Sequence, residues 1–292
     1  MDQASGLRNI IKANQARPLA RVITVTSGKG GVGKSNTAIN LAIQLKKQGQ
    51  RVIILDADFG LANIEIMFGT VPKYNLCDLI YKGMSMKDII TWGPGEVGFI
   101  SGGSGIVGMS NLSRDYLSYI VQNLAQLDAM ADIIIVDTGA GISDAVMEFL
   151  VASGEILLVT TPEPTSITDS YTVVKALARH DRFSESSTQI KVIANRVESE
   201  EEGKSLYNKL NAVVNRYLKV PMTYLGAVPQ DEQLRKAVMA QTPVSLENPK
   251  AKSALAYEEI ANVLMNKESN KSIKIRGMAA FFSHIVAGKK TV

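Results

Sequence analysis

Residues 28–35 read Gly-Lys-Gly-Gly-Val-Gly-Lys-Ser, and this stretch predicts both the fold and the chemistry of the chain. A run of β-forming residues, Val22–Thr26, precedes it, and a helical pattern, Asn36–Lys47, follows it. Glycines here let successive backbone N–H groups turn inward around phosphate oxygens, with the positive end of the new helix behind them. The spacing of the glycines, the second lysine and the serine is that of a loop that holds nucleotide phosphates.

Each polar side chain of this phosphate loop has a predicted role. Lys34 is expected to reach the β- and γ-phosphates, and the Ser35 hydroxyl is expected to ligate Mg²⁺. The predicted nucleotide-binding residues of the stretch are Gly28, Lys29, Gly30, Gly31, Val32, Gly33, Lys34, Ser35 and Asn36.

Lys29 stands where most phosphate loops have no lysine. Its side chain begins too close to the start of the turn to wrap comfortably onto the γ-phosphate of its own nucleotide. One interpretation is a solvated surface lysine. The other is a cation that acts on a nucleotide held by a second subunit, as an arginine finger does.

The whole loop resembles that of the deviant Walker A ATPases, the MinD/ParA family, whose pattern is Gly-Lys-Gly-Gly-x-Gly-Lys-[Ser/Thr]. In that family the signature lysine crosses the interface of an ATP-bound dimer. The resemblance therefore implies a homodimer with ATP, a trans role for Lys29 and a catalytic role for Lys34. It also implies Mg²⁺-dependent hydrolysis of ATP to ADP and phosphate.

The length of 292 residues is consistent with one large α/β domain and appended terminal segments. No stretch approaches eighteen apolar residues, and Met1-Asp2-Gln3 does not open a secretory signal. Cys77 is the only cysteine, which excludes an internal disulfide and any cysteine metal cluster. We therefore expect a cytoplasmic protein outside the nitrogenase-reductase branch, which needs paired cluster ligands.

Near-continuous apolar runs alternate with helical patterns, which is typical of a parallel sheet covered on both faces. We predict a single α/β domain over residues 18–266, a doubly wound, parallel-rich sheet with helices on both faces and appended terminal helices. The predicted strands are Val22–Thr26, Arg51–Leu55, Val97–Ile100, Ile133–Val136, Ile156–Thr160, Ile190–Ala194 and Tyr224–Val228.

Two aspartates, Asp56 and Asp58, follow the second predicted strand. At the carboxyl end of a strand both can face a magnesium-bound triphosphate, although a solvated turn is the alternative. The stretch is similar to switch I of MinD-like ATPases, in which the second aspartate positions the attacking water. The resemblance implies that role for Asp58 and the Mg²⁺ hydration shell for Asp56.

Asp137 ends a run of four apolar β formers and looks like a Walker B aspartate that holds Mg²⁺ directly or through water. Gly139 and Gly141 follow it, and their backbone N–H groups can approach the γ-phosphate as switch II and move away after hydrolysis.

Asn195 ends the next-to-last predicted strand. A carboxamide pairs with adenine N6 and N7 together, which suits ATP, and the family uses an asparagine here for that purpose. The alternative is a simple turn residue. Pro229, at the end of the following strand, is expected to flank the same base.

The basic charge is concentrated in the tail, residues 267–292, with six basic and one acidic residue; the first 266 residues carry 26 basic and 27 acidic ones. We therefore expect no nucleic-acid partner. Apolar tail residues share one helical face between basic flanks, which predicts a helix lying in the membrane interface when ATP joins two copies. A helix docked on the protein itself is the alternative. The predicted membrane residues are Ile275, Met278, Phe281, Phe282 and Ile285.

The N-terminal extension, residues 1–17, resembles the Asp-Gln-Ala-x-x-Leu-Arg element of the flagellar MinD-like ATPases, the FlhG branch, which division-site MinD lacks. In that branch the element stimulates the GTPase FlhF, and its glutamine reaches the catalytic site. A frayed terminus is the alternative. The predicted partner-binding residues are Asp2, Gln3, Ala4, Leu7 and Arg8.

Together these resemblances imply a membrane-associating ATPase that regulates flagellar number and placement, with an FlhF-type GTPase and flagellar C-ring proteins as partners. Two alternatives stay open at this point. One is a division-site MinD, and the less favoured one is a ParA-type ATPase that partitions DNA.

Overall fold

A computed structural model of the chain describes residues 19–58, 63–102, 123–266 and 277–287. Within these residues eight strands form a single sheet. Their bounds are Arg21–Thr26 (β1), Val52–Ala57 (β2), Thr91–Trp92 (β3), Gly98–Ser101 (β4), Ile133–Thr138 (β5), Glu155–Thr160 (β6), Gln189–Val197 (β7) and Met222–Pro229 (β8).

The strand order in the sheet is β3-β4-β2-β5-β1-β6-β7-β8, and every pairing is parallel except that of β3 with β4. All seven predicted strands are confirmed, with ends that differ by at most three residues. The edge strand β3 was not predicted because two residues are too few to show a period. Since β1 lies between β5 and β6, the chain runs outward to both sides of it, which creates a crevice at the carboxyl end of β1.

Helices connect and cover these strands. Most of a helical pattern over 114–128 lies outside the described residues. The other helical patterns of the body correspond to helices in the structure: Ala38–Lys47, Ser143–Ala152, Ile167–His180, Lys204–Leu218 and Ala251–Met265. Several short helices carried no periodic signal and were not predicted. The bounds are Lys34–Lys47 (α1), Asn63–Phe68 (α2), Leu76–Lys82 (α3), Met86–Ile89 (α4), Leu127–Met130 (α5), Asp144–Ala152 (α6), Pro164–Ala178 (α7), Glu200–Tyr217 (α8), Glu232–Met239 (α9), Val244–Glu247 (α10), Lys252–Met265 (α11) and Met278–Ala287 (α12).

Both faces of the sheet are covered, as the apolar strands predict. Along β1 successive side chains point to opposite faces. Ile23 and Val25 belong to a buried cluster that includes residues of α1 and α11, whereas Val22 belongs to a second cluster with residues of α6 and α12. Alternation between two apolar cores explains why the strands read as continuous hydrophobic runs.

The last helix, α12, is part of this second core. The side chains of Met278, Phe281, Phe282 and Ile285 are at most 4% exposed. The Phe149 ring of α6 lies 6.1 Å from the Phe281 ring and 6.4 Å from the Phe282 ring, measured between centroids. The four described residues of the predicted membrane face thus share one face, and that face packs on the protein, as in the docked alternative. Ile275 lies outside the described residues.

None of the helices in the described ranges is long and apolar enough to cross a membrane.

Candidate nucleotide-binding site

The phosphate loop connects the end of β1 to the start of α1, as the sequence predicts. Two of its glycines are required by close neighbours. A Cβ on Gly28 would lie 2.2 Å from the carbonyl carbon of Asp169 in α7, and one on Gly33, whose φ is +94°, would lie 2.2 Å from Asn195 Nδ2. The loop is therefore clamped between α7 and the end of β7, with its backbone free to face a ligand.

Two carboxylates lie side by side below the loop. Asp56 of β2 and Asp137 of β5 are register partners in the parallel sheet, and Asp137 also pairs with Val25 of β1. Both carboxylates are buried, and Lys34 Nζ lies 4.0 Å from Asp137 Oδ1. Strand-end reasoning from the sequence predicted this convergence.

Asp137 fits the requirements of a divalent cation. Its side chain is fully buried, and neither carboxylate oxygen has a hydrogen-bond partner among the described residues. Burial raises its pKa to about 6, although the charge of Lys34 and the nearby Ser35 hydroxyl act in the opposite direction. A buried carboxylate that lacks hydrogen bonds is costly, and Lys34 Nζ at 4.0 Å offsets only part of that cost. Ser35 and Asp137 would hold a magnesium ion, whose charge would offset more of it.

No group of three or more His, Cys, Asp or Glu residues that could hold a metal ion is found in the described part of the chain. A cation at Asp137 would take its remaining ligands from phosphate oxygens and water, which is the usual arrangement for Mg²⁺ in nucleotide sites.

Asp56 has a second task, because it organises the start of α2. Its Oδ2 accepts the backbone N–H groups of Asn63 (3.1 Å) and Ile64 (3.2 Å), and its Oδ1 accepts that of Asp58 (3.1 Å). Burial and the neighbouring Asp137 nevertheless raise the pKa of Asp56 to about 7. A carboxylate in this setting gains from a nearby bound cation, consistent with its predicted place in the Mg²⁺ hydration shell.

Asp58 lies just beyond β2, on the open side of the carboxylate pair. Asn63 Nδ2 donates to Asp58 Oδ2 at 3.4 Å, and a Cβ on Gly139 would lie 3.6 Å from Asp58 Oδ1. The predicted water-positioning residue therefore faces switch II. Gly141 N donates to Ser27 O at 2.9 Å, so switch II is bound to the entry of the phosphate loop.

Lys29 is held on its own chain. Its Nζ donates to Glu163 Oε2 at 2.7 Å and to Thr165 Oγ1 at 3.1 Å. Both members of the ion pair are solvent-accessible, with side chains 40% and 53% exposed. No role was predicted for Glu163 or Thr165, although their position directly after β6, at the same sheet edge as the other site residues, was a usable signal.

Asn195 contacts the phosphate loop. Its Nδ2 donates to Val32 O at 2.7 Å, and its Oδ1 accepts Arg196 N at 3.0 Å. Pro229 lies on the adjacent strand, opposite Val197, at a bulge where Arg196 adopts a left-handed φ of +58°. The asparagine thus braces the loop, and its predicted contact with adenine stays a prediction, as does that of Pro229.

The described part of the tail helix is fixed at both ends by polar side chains. At its start, Asp128 Oδ1 accepts Met278 N at 2.8 Å. In its last turn, Arg182 Nη1 donates to His284 O at 2.7 Å while Arg182 Nη2 donates to Glu148 of α6 at 2.6 Å. The predicted partner-binding residues, Asp2 to Arg8, lie outside the described residues.

Comparison with known proteins places this site in a family context. A family profile described as ParA, NUBPL iron-transfer P-loop NTPase, matches residues 18–265. The antiactivator FleN of Pseudomonas aeruginosa is 42% identical over 241 residues, which cover 82% of this chain and 85% of FleN. The flagellum site-determining protein YlxH of Helicobacter pylori is 32% identical over 98% of both chains.

A solved structure shares the fold. It is the septum site-determining protein MinD of Pyrococcus horikoshii complexed with Mg-ADP, which is 24% identical and superimposes with a TM-score of 0.66. The match covers 88% of this chain and 100% of the other.

Proposed function

The chain belongs to the ParA/MinD family of P-loop NTPases, and from this membership we propose that it is an ATP-switched regulator of flagellar number and placement. The observation that carries the proposal is its similarity to FleN and YlxH over most of their lengths.

Family membership makes the protein a Mg²⁺-dependent ATPase. We assign a separate role in the reaction to each residue of the site. Lys34 and the loop amides bind the phosphates, while Ser35 and Asp137 would hold the cation, which neutralises charge on the transferred phosphoryl group. Asp58 would orient the attacking water. Because this reaction depends on positioning and charge neutralisation more than on a strong base, an ordinary carboxylate is sufficient.

A dimer would form when ATP occupies two copies. Lys29 is the residue we assign to the partner's nucleotide, and its exposure supports that role. Its present contacts, to Glu163 and Thr165, are an exposed ion pair and a hydroxyl. Exposed ion pairs of this kind contribute little, so Lys29 can leave them when a second subunit presents a triphosphate.

Membrane association would follow from release of the tail helix. Burial of its four large apolar side chains stabilises the docked state by about 6–12 kcal/mol as an upper bound, at about 1.5–3 kcal/mol each. A single helix that inserts into the membrane interface regains only part of this burial free energy. Each basic residue near an anionic surface adds about 1 kcal/mol. Two helices on one dimer gain about 10²–10⁴-fold through avidity. ATP-dependent dimerisation therefore supplies the drive for membrane binding.

The N-terminal extension is the segment we assign to an FlhF-type GTPase, with Gln3 reaching into its catalytic site. Flagellar C-ring proteins are the other partners we propose. The support is the seven-residue pattern in the sequence together with the similarity to YlxH, which spans 98% of this chain.

A pull-down tests this proposal. The full chain and a variant lacking residues 1–17 are used as bait with ATP, and FlhF and C-ring proteins are detected by immunoblot. The family profile matches residues 18–265 and the predicted ATP-site residues begin at Gly28, so the deletion removes none of them. We expect FlhF to be lost with the extension. A third bait, Gln3→Ala, should capture FlhF and fail to stimulate its GTPase. Equal capture of FlhF by the full and shortened chains would overturn the assignment.

The alternatives make different predictions about surfaces. A division-site MinD shares the ATPase chemistry but does not act on a GTPase through Asp2–Arg8. A ParA-type partitioning ATPase binds DNA, which the near-neutral body disfavours. Cosedimentation with ATP, using anionic liposomes in one arm and plasmid DNA in the other, separates the two membrane-binding cases from the DNA-binding one. The pull-down with and without residues 1–17 then separates the two membrane-binding cases from each other.

A further inference from the structure

The two ends of the domain meet at one place. Just before β1, Leu19 and Ala20 lie against the start of the tail helix. Gly277 N donates to Ala20 O at 2.9 Å. Leu19 and Ala20, which follow the N-terminal extension in sequence, therefore lie beside the start of the docked tail helix.

Gly277 is specifically required at this junction. Its φ is +86°, a left-handed conformation that side chains other than glycine rarely adopt. A Cβ there would also lie 2.9 Å from Asp128 Oδ2, 3.2 Å from Leu19 Cδ1 and 3.3 Å from Leu19 Cβ. Backbone conformation and space both exclude a larger residue while the tail is docked.

Asp128 of α5 is the common anchor. Its Oδ1 accepts Met278 N at 2.8 Å, which satisfies one of the free amides at the start of the tail helix and places a carboxylate at its positive end. Burial raises the pKa of Asp128, and the backbone amides of Met278, Ala279 and Ala20 oppose that shift. One carboxylate thus receives amides from both terminal segments.

We propose that tail docking and the anchoring of the N-terminal extension are thermodynamically coupled through the Ala20–Gly277–Asp128 junction. When the tail helix leaves, Ala20 O loses its donor and Leu19 loses its packing partner, so the base of the extension loosens. When a partner protein binds the extension and displaces Leu19 and Ala20, Gly277 at the start of the tail loses its hydrogen bond to Ala20 O and its contact with Leu19.

The coupling is reciprocal by necessity. A partner protein that binds the predicted extension residues, such as Ala4 and Leu7, would therefore favour undocking of the tail. A lipid surface that binds the tail would in turn favour capture of the extension by that protein. The link to partner and lipid rests on the proposed function, whereas the coupling between the two segments does not.

The test perturbs one segment and measures the other. Gly277→Ala disturbs the tail side without touching the apolar face of α12, and Leu19→Asp disturbs the extension side at a residue that is 53% exposed. Hydrogen exchange of backbone amides is followed at residues 19–22 and 277–285 in the nucleotide-free full chain. We expect exchange to rise about tenfold or more in both regions with either variant, because each breaks the shared junction.

Two matched controls isolate the junction. Gly49→Ala introduces the same strain at φ +84°, where no atom lies within 4 Å of the added Cβ, and Val71→Asp places a carboxylate at a residue that is 88% exposed. Neither should change exchange at residues 19–22 or 277–285. If Gly277→Ala accelerates exchange in the tail alone, or Leu19→Asp accelerates it at residues 19–22 alone, the coupling is refuted.

A vesicle assay is run in parallel with phosphatidylglycerol-containing liposomes and no nucleotide. We expect several-fold more binding for Gly277→Ala and Leu19→Asp than for the wild type. If exchange rises in both regions but vesicle binding does not increase, the coupling of the two segments is supported and the membrane role of the tail is contradicted. The coupling and the membrane role can therefore fail separately.

Discussion

Lys29 Nζ lies 2.7 Å from Glu163 Oε2 of the same chain, at the rim of the phosphate loop. The hydrogen bond and charge of Lys29 lower the pKa of Glu163. We have proposed that Lys29 acts on the nucleotide of a second subunit, and a lysine held at the rim in this way is not expected to contribute to nucleotide binding in its own subunit.

Replacing the two loop lysines should therefore have different effects. Lys29→Ala should keep ATP affinity within a few-fold of wild type and lose ATP-dependent dimerisation. Lys34→Ala should weaken ATP binding itself by about tenfold or more, because Lys34 is the lysine that we assign to the β- and γ-phosphates. Nucleotide titration measures the ATP affinity of both variants, and light scattering measures their ATP-dependent dimerisation. Equal loss of affinity in the two would mean that Lys29 acts on its own nucleotide.

Asp58→Ala should bind ATP normally and hydrolyse it about 10²-fold or more slowly, because a positioned carboxylate typically contributes at least that much. The variant should accumulate as an ATP-bound dimer on size exclusion. Asp144→Ala, at the exposed start of α6, is the matched control. If Asp58→Ala hydrolysed ATP at the wild-type rate, Asp58 would not be the residue that positions the attacking water.

The carboxylate edge of the site could be predicted because parallel strands bring their ends together. Asp56 and Asp137, 81 positions apart in sequence, are register partners as that rule requires. The position of Glu163 after β6 indicates that it lies at this sheet edge, but no pattern in the sequence joins it to a lysine 134 positions away, so the ion pair itself could not be predicted. Nor did the sequence indicate that Asn195 donates to Val32 O, because the two residues are 163 positions apart and no pattern joins them.

The buried carboxylates also predict a pH dependence for the nucleotide-free protein. The pKa values of Asp56, about 7, and Asp137, about 6, lie above the ordinary 3.8, so the folded state binds protons more tightly than the unfolded chain. The free energy of unfolding should then fall as pH rises through this window. Thermal midpoints should be higher at about pH 6 than at about pH 7.5.

Asp56→Asn mimics the protonated carboxyl, so it should flatten much of this dependence and raise the midpoint at the higher pH. Saturating Mg²⁺ and ADP should flatten it in the wild type, since a cation stabilises the ionised forms. A midpoint that rises between about pH 6 and about pH 7.5 in the nucleotide-free wild type would contradict the argument.

Arg182→Ala should loosen the tail helix without altering its apolar face. Arg182 joins the last turn of α12, at His284 O, to Glu148 of α6. Without it we expect several-fold more vesicle binding in the absence of ATP and faster amide exchange in residues 281–287. Arg179→Ala, an exposed arginine three residues away, is the control. Unchanged, fully ATP-dependent binding by Arg182→Ala would show that this contact does not restrain the tail.

The tail illustrates what a periodic pattern can and cannot decide. One apolar face over Met278–Ile285 predicts a helix with something apolar against it, and that much is confirmed. The pattern does not indicate whether protein or lipid covers the face, because burial of the same apolar side chains is favourable in both environments. The cover is supplied by residues distant in sequence, chiefly Phe149 and the core beneath it.

Phe282→Asp distinguishes a released tail from a functional one. Phe282 is 2% exposed, so a carboxylate there cannot stay in the groove without a large desolvation cost, and the tail should undock and the monomer lose stability. The same charge opposes entry into the membrane interface. Unlike Arg182→Ala, which should undock and bind vesicles, Phe282→Asp should undock and fail to bind even with ATP, while dimerisation and basal hydrolysis continue.

His284→Asp makes the same charge change at an exposed neighbouring position and should retain most binding. Wild-type binding should also weaken with added salt or less anionic lipid. Vesicle binding by Phe282→Asp at the wild-type level would refute the membrane helix and leave α12 as a structural part of the core.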